Sequence, residues 1–164
     1  MSKYTFLGNA EYNKEGHYYL SIIIPKEIIS QLGVQQRSRL KVEFPGGRYI
    51  HCALQYNKNH DFVIYLGKYF QEKAGVDPGR EVKISISEDT SDLGMEMPQE
   101  LEEVLSIDPE GVEGWAQLTP GKKRTAMYFV EKAKTEETKI KRALLIVDNI
   151  KMGFTGAYEL IKRH

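Results

Sequence analysis

The chain has 164 residues, 41% of them hydrophobic, and its 23 Lys+Arg balance 23 Asp+Glu to a formal net charge of zero. That length gives one domain or two small ones, with enough apolar residues for a packed core, which argues against global disorder. A single cysteine, Cys52, excludes an internal disulfide framework and a multi-cysteine metal site, no apolar run reaches the roughly 18 residues of a membrane span, and the zero charge gives no overall pull toward nucleic acid or anionic membrane.

At the N-terminus, Met1–Asn9 has no apolar region of the kind a signal peptide needs, so the expected compartment is the cytoplasm. Tyr4 and Phe6 mark a first strand. Tyr18, Leu20, Ile22 and Ile24 alternate on one face of a second, which Pro25 ends. A short helix is predicted over Lys26–Gln31, with Gly33 just past it where φ > 0 is needed. The turn Gln35–Arg37 then leads into a strand burying Leu40, Val42 and Phe44. The same order returns 42 residues later (64 less 22): Ile22, Lys26, Gly33 and Val34 recur as Ile64, Lys68, Gly75 and Val76. Ile50, Cys52, Leu54 and Tyr56 mark the leading strand of this second unit, and Phe62, Ile64 and Leu66 the next. A helix over Lys68–Lys73, the turn Asp77–Arg80, and a strand with Val82, Ile84 and Ile86 complete it.

The fold predicted for residues 1–88 is therefore six strands and two short helices in two ββαβ repeats, about 3–45 and 46–88. Neither repeat can bury its apolar face alone, and together they can close a small barrel with pseudo-twofold symmetry. Cys52 falls on the inward face and reads as a core residue.

The run Ile24-Pro25-Lys26-Glu27-Ile28, then Leu32-Gly33-Val34, then Leu40-Lys41-Val42-Glu43, resembles the AbrB/MazE-type double-split β-barrel motif. In that family two short chains each give one half. Here both halves lie in one chain, as in the uncharacterised single-chain branch of those barrels. The resemblance implies the barrel fold. From the DNA-binding relatives it also implies Lys26, Arg37, Arg39, Lys68 and Arg80, near the barrel loops, as candidate DNA contacts.

The neutral total is segregated along the chain. Residues 1–87 have a net charge of +4, residues 88–113 carry 10 acidic and no basic side chains, and residues 114–164 have a net +6. The acidic block opens with Glu88-Asp89-Thr90-Ser91-Asp92-Leu93-Gly94, so a linker is predicted over 89–96 with a boundary near Ser91.

A helical bundle is predicted over 97–164, making the chain α+β overall. Met97-Pro98 opens its first helix, with Leu101, Val104 and Leu105 on one face. Asp108-Pro109-Glu110 supplies an N-cap, a first-turn proline and an acid suited to the helix dipole, before an apolar face of Val112, Trp115 and Ala116. Thr119-Pro120 repeats the start signal for a helix carrying Met127, Val130 and Ala133. Thr135 caps a fourth helix whose predicted stripe is Ile140, Ala143, Leu144, Val147 and Ile150. Met152-Gly153 ends it, and the tail Phe154–Ile161 is apolar enough to pack back on the body. Lys132, Lys134, Lys139, Lys141 and Arg142 crowd the junction of the last two helices, where they can form an anion-binding patch or pair with the chain's own acids.

Met97-Pro98-Gln99-Glu100-Leu101, Asp108-Pro109-Glu110, Leu118-Thr119-Pro120-Gly121-Lys122-Lys123-Arg124 and Ala133-Lys134-(x3)-Thr138-Lys139-(x2)-Arg142 together resemble the bacteriocin-protection, YdeI/OmpD-associated family over roughly 97–153. Lys139 stands where members often carry Arg, which exchanges a bidentate donor for a point charge. The resemblance implies a bacterial protein linked to bacteriocin or antimicrobial-peptide tolerance, with no established reaction.

No phosphate-binding glycine loop or nucleophile elbow occurs. His17 and His60 precede equivalent strands and make a poor metal site without a carboxylate set. The sequential acids Glu102-Glu103 and Glu136-Glu137 point to different helix faces. The leading expectation is a non-enzymatic cytosolic binding protein, with no cofactor or metal, that captures an acidic or anionic partner at Lys134, Thr138, Lys139 and Arg142. Two alternatives stand beside it: a DNA-binding regulator acting through the barrel, and an enzyme with a site between the two modules. A repeat that completes its own barrel favours a monomer.

Overall fold

In the computed structural model, which describes residues 2–12 and 19–164, the alternating residues of the first half become one antiparallel sheet. Its strands are β1 (Lys3–Tyr12), β2 (Leu20–Ile24), β3 (Arg39–Phe44), β4 (Arg48–Ala53), β5 (Gln55–Tyr56), β6 (Phe62–Leu66) and β7 (Glu81–Glu88), and helices α1 (Lys26–Leu32) and α2 (Lys68–Ala74) follow β2 and β6. The order across the sheet is β4-β3-β7-β1-β2-β6-β5. β4 and β5 flank Leu54 in the chain yet stand at the two ends of that order, and the sheet curls as a half-barrel.

The pairings repeat when the two segments are exchanged. β1 pairs β7 over its first part and β2 over its last, while β4 pairs β3 and β5 pairs β6. β2 pairs β6 and β3 pairs β7. Ile22 faces Ile64, and Glu43 faces Ser85, each pair 42 residues apart (64 less 22, 85 less 43).

The structure differs from the six predicted strands at Leu54, which is buried but belongs to no strand. Its backbone turns to the 35–38 turn instead. Arg37 donates its N–H to the Leu54 carbonyl at 2.8 Å, and Leu54 donates its own to Ser38 at 2.8 Å. The equivalent turn places the Gly79 N–H on the Ala10 carbonyl at 2.7 Å.

Leu20, Ile22, Ile24, Leu40, Val42, Phe44, Ile50, Cys52, Ile64, Leu66, Ile84 and Ile86 form the core, with Tyr4, Phe6 and Phe62 packed against it. The predicted strand residue Tyr18 and the histidine His17 lie outside the described residues. Gly8 sits where the packing leaves no space, because a Cβ there would come within 2.8 Å of Ile84 and 3.0 Å of Ile22. Gly33 and Gly75 close α1 and α2 at φ of 69° and 65°.

Residues 89–94, within the predicted linker 89–96, are tied to the sheet. Asp89 donates its N–H to the Arg39 carbonyl at 2.9 Å, and Arg39 Nη2 donates to the Gly94 carbonyl at 2.9 Å. The chain divides into two units at this point, Met1–Gly94 and Met95–His164.

The second unit holds α3 (Gln99–Ser106), α4 (Pro109–Ala116), α5 (Pro120–Glu131), α6 (Glu136–Lys151) and a 3-10 turn at Glu159–Ile161. Asp108, Thr119 and Thr135 each accept a hydrogen bond from the backbone N–H three residues on, at 3.0, 3.3 and 3.2 Å. Pro98 occupies the N-cap position of α3 rather than its first turn.

Two predicted apolar faces are rotated. In α4, Val112 is 48% exposed and Gly111 is buried. Gly111 and Gly114 let the α4 backbone approach Val147 and Ile150 of α6 so closely that a side chain at either would collide with them. In α6, Ala143, Val147 and Ile150 are buried as predicted, but Ile140 and Leu144 are exposed, and Ile146 and Asn149 take the inner positions. The reason is the tail. Asn149 Nδ2 donates to the carbonyls of Glu159, Leu160 and Lys162 at 3.1, 2.9 and 2.9 Å, so α6 turns this amide inward and Leu160 is fully buried.

Candidate functional site

The predicted partner-binding residues surround the turn from α5 to α6. Thr135 caps α6 by accepting the Thr138 N–H, and its hydroxyl donates to Thr138 Oγ1 at 2.9 Å. Lys139 Nζ lies 3.7 Å from Glu131 Oε1 at the end of α5. Arg142 Nη1 donates to the Phe129 carbonyl at 2.8 Å, and its guanidinium stands 4.6 Å from the centre of the Phe129 ring. That carbonyl is one of the last four of α5, which have no partner within the helix. Lys139 and Arg142 thus both turn toward α5 and hold its end, while Lys134 stands exposed in the connecting turn.

The acids that meet these cations lie in the same helices. Lys141 pairs with Glu137 at 3.0 Å, as Lys139 does with Glu131. From the acidic block, Asp108 meets Lys151 at the far end of α6, at 2.9 Å. The Lys151 ammonium and the Gly111 N–H hold the Asp108 carboxyl below its ordinary pKa, and Asp108 in turn raises that of Lys151.

The five DNA-contact candidates do not converge on one patch. Lys26 and Lys68 begin α1 and α2, which leave opposite ends of the antiparallel β2–β6 pair. Arg37 and Arg80 lie in the turns before β3 and β7, which are also antiparallel. Arg37 has φ of 73°, and Arg80 is exposed, with Asp77 at 4.0 Å. Arg39 is directed to Gly94, with its Nε buried and unpartnered.

Cys52 is a core residue. Burial, countered in part by Arg39, pushes its thiol up to about 12, so it stays protonated and is no nucleophile at neutral pH. On the other side of β4, His51 Nδ1 lies 2.6 Å from Asp89 Oδ2 in a shielded pair. Burial opposes ionisation of Asp89, but hydrogen bonds from Ser91 and His51 outweigh it and leave its pKa lowered. His60 takes φ of 64° in the hairpin after β5, and His164 stacks on Phe154 at 3.7 Å. Among the described residues no three His, Cys, Asp or Glu side chains converge as a metal set.

One feature of the first unit escaped the sequence reading. Its outer face carries a depression of about 280 Å³ that includes Tyr19, Tyr56 and Tyr65, and a second of about 220 Å³ beside it. The available signal was a duplicated tripeptide, Tyr12-Asn13-Lys14 and Tyr56-Asn57-Lys58, following the two leading strands.

With α3 to α6 and their caps in place, the comparison with known families is specific to this half. Residues 94–153 match the family described as Bacteriocin-protection, YdeI or OmpD-Associated. The matched stretch takes in the Pro98, Asp108-Pro109 and Thr119-Pro120 helix starts and the Thr135-to-Arg142 clasp. No curated protein matches the chain.

Proposed function

We propose that the chain is a non-enzymatic interaction protein, acting in bacteriocin or antimicrobial-peptide tolerance, in which the outer face of α6 docks a partner protein. The observation that carries this reading is the pair Ile140 and Leu144, 39% and 47% exposed and one helical turn apart. The helical unit already buries Ala143, Ile146, Val147 and Ile150, so this second apolar pair is surplus to its core. Lys141 and Glu137 stand on the same face and Lys134 precedes it, giving a polar margin around an apolar centre. Thr138, Lys139 and Arg142 support this surface by fixing α6 against α5.

The reading extends to the first unit. Its exchange-symmetric pairings support reading it as a double-split barrel of the AbrB/MazE kind, with both halves in a single chain. The dispersal of Lys26, Lys68, Arg37 and Arg80 means that these four do not form one phosphate-binding patch, which favours interaction over DNA binding through them.

The test is survival of bacteriocin-exposed bacteria expressing the full chain. The wild type raises survival, and Ile140→Glu with Leu144→Glu abolishes the gain while circular dichroism remains unchanged. Equal protection by a folded double variant sinks the proposal.

A further inference from the structure

The two depressions of the first unit adjoin at Ser21 and make up a groove along β1, β2 and the β5–β6 hairpin. The larger is lined by Tyr19, Tyr56 and Tyr65 with Asn57, Lys58 and Asn59. The smaller sets Asn9 and Glu11 beside Leu7 and Ile23, which are 64% and 54% exposed.

The walls are held in place. The Tyr19 and Tyr65 rings meet edge to face at 5.0 Å, and Tyr56 rests on Phe62 at 5.0 Å. Asn57 Oδ1 accepts the N–H of Asn59 at 3.0 Å and of Asp61 at 2.9 Å, which fixes the hairpin around it. This preformed character lowers the ordering cost of binding.

The chemistry of the lining selects the ligand. Tyrosine offers an apolar ring face with a hydroxyl at its rim, and asparagine offers both a donor and an acceptor. Such a set suits a molecule with C–H faces and many hydroxyls. Charge decides against a polyanion: among the described lining residues Lys58 is the one cation and Glu11 the one carboxylate, so the described lining carries no formal net charge. A nucleic-acid groove with aromatic platforms is strongly basic instead, and Glu11 would repel its phosphates. Two depressions that adjoin at Ser21 call for a ligand longer than one ring.

We propose that this groove, with Tyr19, Tyr56 and Tyr65 at one end and Asn9, Glu11 and Ser21 at the other, binds a neutral oligosaccharide.

The test uses the full chain on an array of neutral oligosaccharides built from glucose, galactose, mannose and N-acetylhexosamines, followed by amide chemical-shift titration with the best binder. An oligothymidylate serves as the polyanion arm. At least one oligosaccharide binds, with shifts centred on Tyr19, Ser21, Tyr56 and Tyr65, and the oligothymidylate leaves these resonances in place. Tyr65→Phe removes one hydroxyl without emptying the site and weakens binding about ten-fold, as one lost hydrogen bond predicts. Tyr56→Ala weakens it further, and Tyr65→Phe alone decides should Tyr56→Ala fail to fold. Absence of tyrosine-dependent binding to every sugar on the array overturns the proposal, and so does an oligothymidylate that titrates the same tyrosines.

Discussion

The two units reach order by opposite routes. In the first, residues far apart in sequence face each other, Ile22 against Ile64 and Phe6 against Ile84, and no strand is stable without its neighbours. In the second, each helix begins at its own local signal, Asp108, Thr119 or Thr135, and the packing then follows from which side is smallest or most apolar. A single change should therefore spread through the sheet but stay near its origin among the helices.

The largest effect is expected where the exchange-related strands meet. Ile22→Ala and Ile64→Ala each remove a fully buried side chain and should each cost about 2–5 kcal/mol in urea unfolding of the full chain. Because the two face each other, the double variant should depart from additivity. Strict additivity would separate the two halves of the sheet.

The turns sharpen the comparison between repeats. Gly33→Ala places a side chain in open space at positive φ and should cost about 1 kcal/mol. Gly75→Ala should cost about the same, since the Arg48 guanidinium that its Cβ would meet is the far end of an exposed, flexible side chain and can move aside. Arg37 has the φ of 73° that Gly79 adopts at 75° in the equivalent turn. Arg37→Gly should therefore gain up to about 1 kcal/mol, measurable as a higher midpoint.

In the helical unit, Thr135→Ala should cost about 1 kcal/mol and loosen α6 without touching the sheet. The smallest effect is in pH. Asp89 has a lowered pKa in the folded chain, so its stabilisation is present above the ordinary value of 3.8 and is lost as pH falls through the folded value. Asp89→Asn should flatten the acid limb of stability against pH, and an unchanged limb would show that the His51 and Ser91 bonds add nothing.

The same contrast explains what could be read from the sequence. Strand periodicity, both glycine C-caps and all three side-chain N-caps are local signals, and two matched positions of the 42-residue repeat, Ile22 and Ile64, are partners in the sheet. The division at Leu54 was not legible, because it depends on a backbone exchange with the distant 35–38 turn. The rotation of α6 was missed because Asn149 does not look like an inward residue until the tail carbonyls it holds are known. Charge counting located the cations of the α5–α6 junction correctly but could not show that Arg142 and Lys139 face α5. The tyrosine groove was not legible as a site because Tyr19, Tyr56, Tyr65 and their asparagine neighbours are not conventional catalytic or metal-binding residues.

Native-state hydrogen exchange on the full chain tests most directly the proposal that the half-barrel of the first unit closes as a double-split barrel. The account predicts that amides of β2, β3, β6 and β7 exchange together through a single cooperative opening, with the β4–β5 segment protected to the same degree on both sides of Leu54. Early exchange of β5 and β6 while β3, β4 and β7 stay protected would contradict it, and would describe an open sheet with a loose edge.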